Sequence, residues 1–184
     1  MKNNFILVDK VSEEVCDKLV NFFHTHKHTL GVRGHTDKGY SENKQSLDIY
    51  IHPDNNNEPF AQYNSELQLC LNKYNKIYPE TEGMERYQLC EHYNIQYYEP
   101  GEGFKNWHSE RTTYTSSKRV LVFMTYLTDT KNAGTEFKYQ KLKTDCKKGS
   151  TVIWPAEWTH THKGIISNKH AKMIVTGWWS FLAP

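Results

Sequence analysis

RVLVFMTYL, residues 119–127, is the stretch of sequence that decides the fold. Its centre is a continuous apolar run from Val120 to Met124, which is typical of a strand that is covered on both faces. Further strand-like segments, bounded by turn residues, occur on either side at 93–98, 135–139, 151–154 and 172–181. Because no helical pattern separates these strands, the sequence predicts an antiparallel sandwich or barrel.

The first half of the chain predicts two helices. Ser12 precedes two glutamates and an amphipathic pattern, so we expect a capped helix that ends at about His24 or Thr25. A loop at 30–46 and a strand at 47–51 should follow. A second helix is predicted where apolar residues step by three and four: Phe60, Tyr63, Leu67, Leu71 and Tyr74. Both helices should pack on one outer face of the sheets.

Composition limits the class of protein. The 184 residues are 37% hydrophobic and 24% charged, which predicts one ordinary globular domain. The net charge is +2, and no basic block of the kind that binds nucleic acid is present in the sequence. The four cysteines include no C-x-x-C pair, and no apolar stretch is long enough for a membrane span. We therefore expect reduced thiols, no membrane partner and a cytoplasmic protein.

His108-Ser-Glu110 is the strongest functional signal. It is followed 52 residues later by His162 and, after ten more, by Lys172. Two imidazoles and one carboxylate can hold a ferrous ion on one face and leave the other positions free. Residues two apart in a strand point to the same side, so His108 and Glu110 could reach one ion together.

The distal histidine has two candidates, because Trp158-Thr-His160-Thr-His162 would put two imidazoles on the same face of a strand. We favour His162, since the ten-residue step to Lys172 suits a return hairpin. His160 would then orient a ligand or substrate.

Lys172 lies on the predicted inward face of the last strand. That face also carries Ile174, Thr176 and Trp178, and an ammonium buried among them would need an anionic partner such as a bound carboxylate. In segment 93–98, three polar side chains share one face and could bond to the same ligand: Asn94, Gln96 and Tyr98.

The chain resembles the Fe(II)- and 2-oxoglutarate-dependent dioxygenases, in particular their prolyl 4-hydroxylase-like branch. The similarity rests on Tyr98-Glu-Pro-Gly-Glu-Gly-Phe104 with Trp107-His-Ser-Glu110, and on RVLVFMTYL with Ala133-Gly-Thr-Glu-Phe137. It continues through His162, Lys172 and Trp178, so that it covers roughly residues 90 to 181. Glu110 is a departure, because the family motif has aspartate there.

The resemblance implies a fold and a set of roles. The fold is a double-stranded β-helix, or jelly-roll, core at 87–184, with 1–86 as a helical support region in the same single domain. It implies that His108, Glu110 and His162 bind iron and that Lys172 and Tyr98 bind 2-oxoglutarate. The polar row adds Gln96 as a candidate for 2-oxoglutarate binding. Trp178, on the same face as Lys172, and His160 are candidate residues of the substrate cavity.

The implied activity is hydroxylation of a prolyl or other amino-acid side chain, free or in a protein, with release of succinate and CO₂. The cofactors would be Fe(II), 2-oxoglutarate and O₂, and a need for ascorbate is left open. Two alternatives remain: a nucleic-acid base demethylase of the same superfamily, and a non-catalytic metal-binding jelly-roll module. A second histidine group is interpreted as exposed loop residues: His24, His26, His28 and His35.

Overall fold

Strands of this chain pair into one eight-stranded sheet and two smaller sheets in the computed structural model, which describes residues 3–34 and 42–182. The helices are α1 (Glu13–Leu30) and α2 (Phe60–Ile77), with short 3-10 helices at Pro79–Gly83 and Trp158–His160. In chain order, the strands are β1 (Leu7–Lys10), β2 (Val32–Arg33), β3 (Lys44–Gln45), β4 (Leu47–Ile51), β5 (Tyr87–Leu89), β6 (Tyr93–Tyr98), β7 (Gly103–Phe104), β8 (Arg119–Tyr126), β9 (Thr135–Phe137), β10 (Leu142–Lys143), β11 (Ser150–Pro155), β12 (His162–Gly164) and β13 (Lys172–Phe181).

The large sheet has the order β1-β11-β8-β13-β6-β4-β2, and β5 pairs with the far end of β13. A smaller sheet has the order β10-β9-β12, and β3 pairs with β7. The registered strand pairs are antiparallel, and neighbours in the sheets are mostly distant in sequence. The predicted mostly-β fold with a jelly-roll core is therefore confirmed.

Two apolar cores lie on opposite faces of the large sheet. The inner core lies between the sheets and includes Val122, Met124, Phe137, Trp154 and Ile174. The outer core joins the other face of that sheet to both helices and includes Val15, Leu19, Phe23, Tyr63, Leu67, Phe123 and Val175. Strand β8 supplies alternate side chains to each core, as the continuous apolar run predicted. The expected packing of both helices on one outer face is also confirmed.

Strand boundaries agree closely with the pattern, whereas the end of α1 does not. The predicted segments 47–51, 93–98 and 172–181 are strands with those bounds. Helix α1 ends at Leu30 instead of residue 24 or 25, because no glycine or proline interrupts it before Gly31, whose N–H caps Lys27 O.

The interpretation of the second histidine group as loop residues was therefore wrong for three of its members. His24, His26 and His28 lie on α1, and the His26 ring stacks on Phe22 with a centroid separation of 4.3 Å. His35 lies outside the described residues. The predicted loop at 30–46 contains strands β2 and β3, and the rest of its centre is likewise outside the described residues.

Neither helix is both long and apolar enough to cross a membrane, as judged on the part of the chain that the structure describes. All four cysteines are free thiols, and Cys16, Cys70 and Cys146 are buried.

Packing of α1 on the large sheet should contribute strongly to stability. Leu19 is fully buried, so Leu19→Ala should lower the free energy of unfolding by about 2–5 kcal/mol through lost burial and a residual cavity. Leu30, on the same helix, is half exposed, and Leu30→Ala should change the free energy of unfolding by less than about 1 kcal/mol. Urea unfolding followed by circular dichroism measures both, and equal effects would contradict the described packing.

Candidate metal centre

His108 and His162 are held side by side by their main chains. The His108 N–H donates to His162 O and the His162 N–H donates to His108 O, each at 2.9 Å, in an isolated antiparallel bridge. This bridge places His108 beside the first residue of β12 and leaves the imidazole centroids 4.3 Å apart. The expectation that His108 and Glu110 share one face of a strand was wrong, because the chain leaves the bridge at once and Glu110 N–H donates to Ala156 O at 3.2 Å.

The three candidate ligands nevertheless converge. One ligand atom from each of His108, Glu110 and His162 lies within 4.8 Å of the others. Glu110 Oε1 is 3.4 Å from His108 Nε2 and 3.5 Å from His162 Nε2. Metal bonds of about 2.1 Å place neighbouring octahedral ligand atoms roughly 3 Å apart, so the donor set is of the right size for a divalent ion.

Each imidazole presents Nε2 to the centre because its other nitrogen is already bonded. His108 Nδ1 lies 2.9 Å from Asn106 O, and His162 Nδ1 lies 2.9 Å from His160 O. A carbonyl can only accept, so Nδ1 must carry the hydrogen and Nε2 of a neutral ring is free to bind a metal. The main-chain carbonyl of residue 160 thus orients His162.

Aromatic side chains fix the ring planes. Phe104 stacks on His108 with centroids 3.5 Å apart and an interplanar angle of 12°. Trp154 meets His162 edge-on at 4.9 Å, and Phe137 lies 5.6 Å from the same ring. This packing leaves the imidazoles little freedom to rotate.

Glu110 is held through its second oxygen. The Trp178 indole N–H donates to Oε2 at 2.9 Å, and Arg119 Nη1 donates to the Glu110 main-chain carbonyl at 3.1 Å. Sequence reasoning missed Arg119 as part of the site. The available signal was that it is the one charged residue in RVLVFMTYL.

The electrostatics of Glu110 and His162 favour the charged carboxylate and the neutral imidazole. Burial alone would raise the pKa of Glu110, but hydrogen bonds and charge from His108 and His162 hold it well below its usual range. Burial lowers the pKa of His162, and the neighbouring His108 lowers it further. A carboxylate and neutral imidazoles are the forms that bind iron.

Lys172 lies on the inner face of β13, opposite Tyr98 of β6. Lys172 is 6% exposed, and its ammonium donates to two main-chain carbonyls, Ala133 O at 3.0 Å and Ile165 O at 3.5 Å. It also lies 5.1 Å from the Tyr98 ring centroid. Burial lowers the pKa of Lys172 to about 8, and no carboxylate within the described residues pairs with it. An organic carboxylate would meet that need.

Tyr98 belongs to a buried polar row on the inner face. Its hydroxyl donates to Gln96 Oε1 at 2.6 Å, and Gln96 Nε2 lies 3.5 Å from Asp48 Oδ2. Asp48 is fully buried and pairs with Lys44 at 3.1 Å. In this structure, then, the phenol hydrogen of Tyr98 is directed at Gln96.

His160 is separated from the metal candidates. The expectation that it shares a strand face with His162 was wrong, because residues 158–160 form a 3-10 helix and β12 begins at His162. The His160 side chain is buried against Asn4, with Nε2 3.0 Å from the Asn4 carbonyl. Trp178 is half-buried and directs its N–H at Glu110.

Comparison with known families gives one match. A model of the 2OG-Fe(II) oxygenase superfamily matches residues 93–180, which include the three candidate ligands and Lys172. A comparison with curated proteins gave no match.

Solved structures with a similar fold include three prolyl hydroxylases. A viral collagen prolyl hydroxylase from Paramecium bursaria Chlorella virus 1, in a 2-oxoglutarate complex, has a TM-score of 0.72 and 17% identity over 97% of both chains. A Pseudomonas putida prolyl 4-hydroxylase has a TM-score of 0.74 and 13% identity over 98% of this chain and 95% of that one. A Trichoplax adhaerens prolyl hydroxylase, in complex with a hypoxia inducible factor peptide, has a TM-score of 0.72 and 13% identity over 97% and 84%. The TM-scores show a shared fold, and at these low identities the likeness shows the fold alone.

Removing either of the two histidines tests the metal assignment. His162→Ala should abolish metal retention, because it deletes one of three converging donors. His160→Ala should retain most of the metal, because the main-chain carbonyl of residue 160, which orients His162, remains. Metal content after anaerobic loading with Fe(II) and desalting measures both. The opposite order of the two variants would transfer the ligand role to His160.

Proposed function

We propose that this chain is an iron(II)- and 2-oxoglutarate-dependent hydroxylase of prolyl or other amino-acid side chains, because its residues 93–180 match the model of the 2OG-Fe(II) oxygenase superfamily. The observation that carries the proposal is the convergence of one ligand atom from each of two imidazoles and one carboxylate within 4.8 Å of one another. The inner face also buries Lys172, which pairs with no carboxylate among the described residues. Structural metal sites usually have four protein ligands, whereas a site with three leaves positions for a co-substrate and dioxygen.

In this proposal His108, Glu110 and His162 hold the ferrous ion. When bound, iron with 2-oxoglutarate and dioxygen supplies the oxidising power that hydroxylates an unactivated C–H bond, and succinate and CO₂ leave. The protein contributes position. The bridge between residues 108 and 162 sets the separation of the imidazoles, and their bonded Nδ1 atoms keep Nε2 directed at the metal.

Lys172 and Tyr98 would bind the far carboxylate of 2-oxoglutarate. The ammonium lies in a buried environment where charge pairing is strong, and the carbonyls of Ala133 and Ile165 hold it in position. For Tyr98 to donate to the ligand, its hydroxyl must turn from Gln96 Oε1, after which the Gln96 amide can donate to it. Gln96 would therefore act through Tyr98.

A peptidyl substrate is favoured over a nucleic acid. The three prolyl hydroxylases share this fold, and aromatic side chains, which pack well on prolyl rings, are exposed next to the ligands. Trp107 precedes His108 and is 38% exposed, with Lys163 4.5 Å from its ring. Trp158 and Tyr139 are also exposed. We propose that Trp178, which contacts Glu110, lines the substrate cavity.

We further propose that residues 1–184 act as one domain, because the outer core joins both helices to the sheet that carries Lys172. Four free thiols support a reducing, cytoplasmic location.

Succinate release tests the function directly. With Fe(II), 2-oxoglutarate and air, the wild type should release succinate slowly alone and several-fold faster with its substrate. The screen compares proline-containing peptides, free amino acids and methylated oligonucleotides. Stimulation by peptides supports the proposal and stimulation by oligonucleotides favours a demethylase. Metal binding without any succinate would indicate a non-catalytic module, and Glu110→Ala is the inactive control.

Binding of 2-oxoglutarate should weaken as the pH rises through 8. Below that pH Lys172 is protonated and can pair with the carboxylate of 2-oxoglutarate. Above it, Lys172 of the ligand-free protein loses its proton. The affinity for 2-oxoglutarate at pH 9 should therefore be about tenfold lower than at pH 7. Calorimetric titration with Mn(II) in place of iron measures this. Lys172→Arg should remove most of the slope, because arginine stays charged, and Lys172→Ala should weaken binding at every pH with metal still bound. An unchanged slope in Lys172→Arg would contradict the assignment.

A further inference from the structure

We propose that Arg119 is a positioning residue which, with Glu91, holds Trp178 and Glu110 so that the carboxylate presents a single oxygen to the metal. The inference rests on the proposed role of Glu110 as a ligand. We refer to Glu91, Arg119 and Trp178 as the support cluster.

Glu110 divides its two oxygens between two tasks. Oε1 faces His108 and His162, whereas Oε2 accepts the hydrogen bond from Trp178 Nε1 at 2.9 Å and lies 3.9 Å from Arg119 Nη1. Oε2 is thus directed at the support cluster and Oε1 at the two imidazoles. Held in this way, Glu110 would offer one oxygen to a metal.

Arg119 fixes the orientation of Trp178. Its guanidinium carbon lies 3.6 Å from the centroid of the Trp178 ring, a stacked cation–π contact that is worth more when the pair is partly desolvated. The same guanidinium donates to the Glu110 main-chain carbonyl at 3.1 Å. Arg119 thus restrains both Trp178, which donates the hydrogen bond, and the backbone of Glu110, which accepts it.

Glu91 fixes Arg119 in turn. Arg119 Nε and Nη2 donate to Glu91 Oε2 at 3.2 and 3.0 Å, and the other oxygen of Glu91 accepts from the Ser180 hydroxyl. The Arg119 and Glu91 side chains are only 13% and 18% exposed. Glu91 lies just before β6, Arg119 begins β8, and Ser180 is the penultimate residue of β13. The cluster therefore lies where three neighbouring strands of the large sheet meet beside the candidate metal centre.

The position of the support cluster also suits a glutamate side chain, and not an aspartate, at position 110. An aspartate at position 110 would withdraw its carboxylate by one carbon–carbon bond, about 1.5 Å. It could then not keep both the 2.9 Å contact to Trp178 and the approach to the two Nε2 atoms without movement of the backbone, which is held by Ala156 and Arg119. The side chain of residue 110 and the support cluster are therefore expected to function together.

The test measures Co(II) binding, which needs no turnover. Anaerobic titration of the metal-free protein, followed by the visible absorption of Co(II), gives both the dissociation constant and a signature of the coordination. Trp178→Phe, Arg119→Lys and Glu110→Asp should each raise the dissociation constant about tenfold or more and shift the spectrum, as is typical for partners of metal ligands. Matched controls make the same exchanges at exposed positions: Trp158→Phe and Arg33→Lys should stay within about twofold of wild type.

A double variant separates coupling from independent damage. If the hydrogen bond from Trp178 needs the longer glutamate side chain, then Glu110→Asp has already lost that bond. Adding Trp178→Phe should then weaken Co(II) binding little beyond the weaker of the two single variants. Independent effects would multiply to about a hundredfold or more.

Two results would overturn the proposal. One is Co(II) affinity and spectrum unchanged in both Trp178→Phe and Arg119→Lys. The other is a lower melting temperature of the metal-free variants with an unchanged Co(II) spectrum, since this would make the cluster structural alone. Failure of the proposed function is a different observation: wild-type protein that binds Co(II) normally but releases no succinate with Fe(II).

Discussion

The paired main-chain hydrogen bonds between His108 and His162 are the constraint on which the candidate metal centre depends. They join a loop to the first residue of β12, and no side chain takes part in them. Once this bridge forms, two imidazoles must lie side by side, and carbonyls at residues 106 and 160 orient their rings. The backbone therefore supplies most of the accuracy of the site, while the side chains supply its chemistry.

Strand β13 connects this centre to the rest of the molecule. One of its faces contributes Val175 and Trp179 to the outer core with the helices, and the other presents Lys172 and Trp178 to the inner face. Burial of the outer face thus stabilises the strand that carries a buried cation and the hydrogen-bond donor to Glu110. This arrangement gives the helical first half a physical role in the function, although it contributes none of the candidate ligands.

The accuracy of the sequence-based predictions followed the strength of the local pattern. Strands with clear alternation, such as β6 and β13, were predicted residue by residue, because period-two patterning and burial act in the same direction. The end of α1 was misplaced, since its last turns are polar and periodicity is a weak guide there. Arg119 was overlooked because its partners, Glu91 and Trp178, are distant in sequence and approach only across the sheet.

The sequence by itself determined the fold class, the packing of the helices and the three donors most suited to iron, because hydrophobic periodicity and ligand chemistry are properties of residue type. Tertiary structure alone decided the rest. It separated His162 from His160 by ending a 3-10 helix between them, and it turned Trp178 towards Glu110. It also surrounded Lys172 with carbonyls. These features arise from contacts between distant segments, and the direction of a side chain is fixed only when its neighbours are in place.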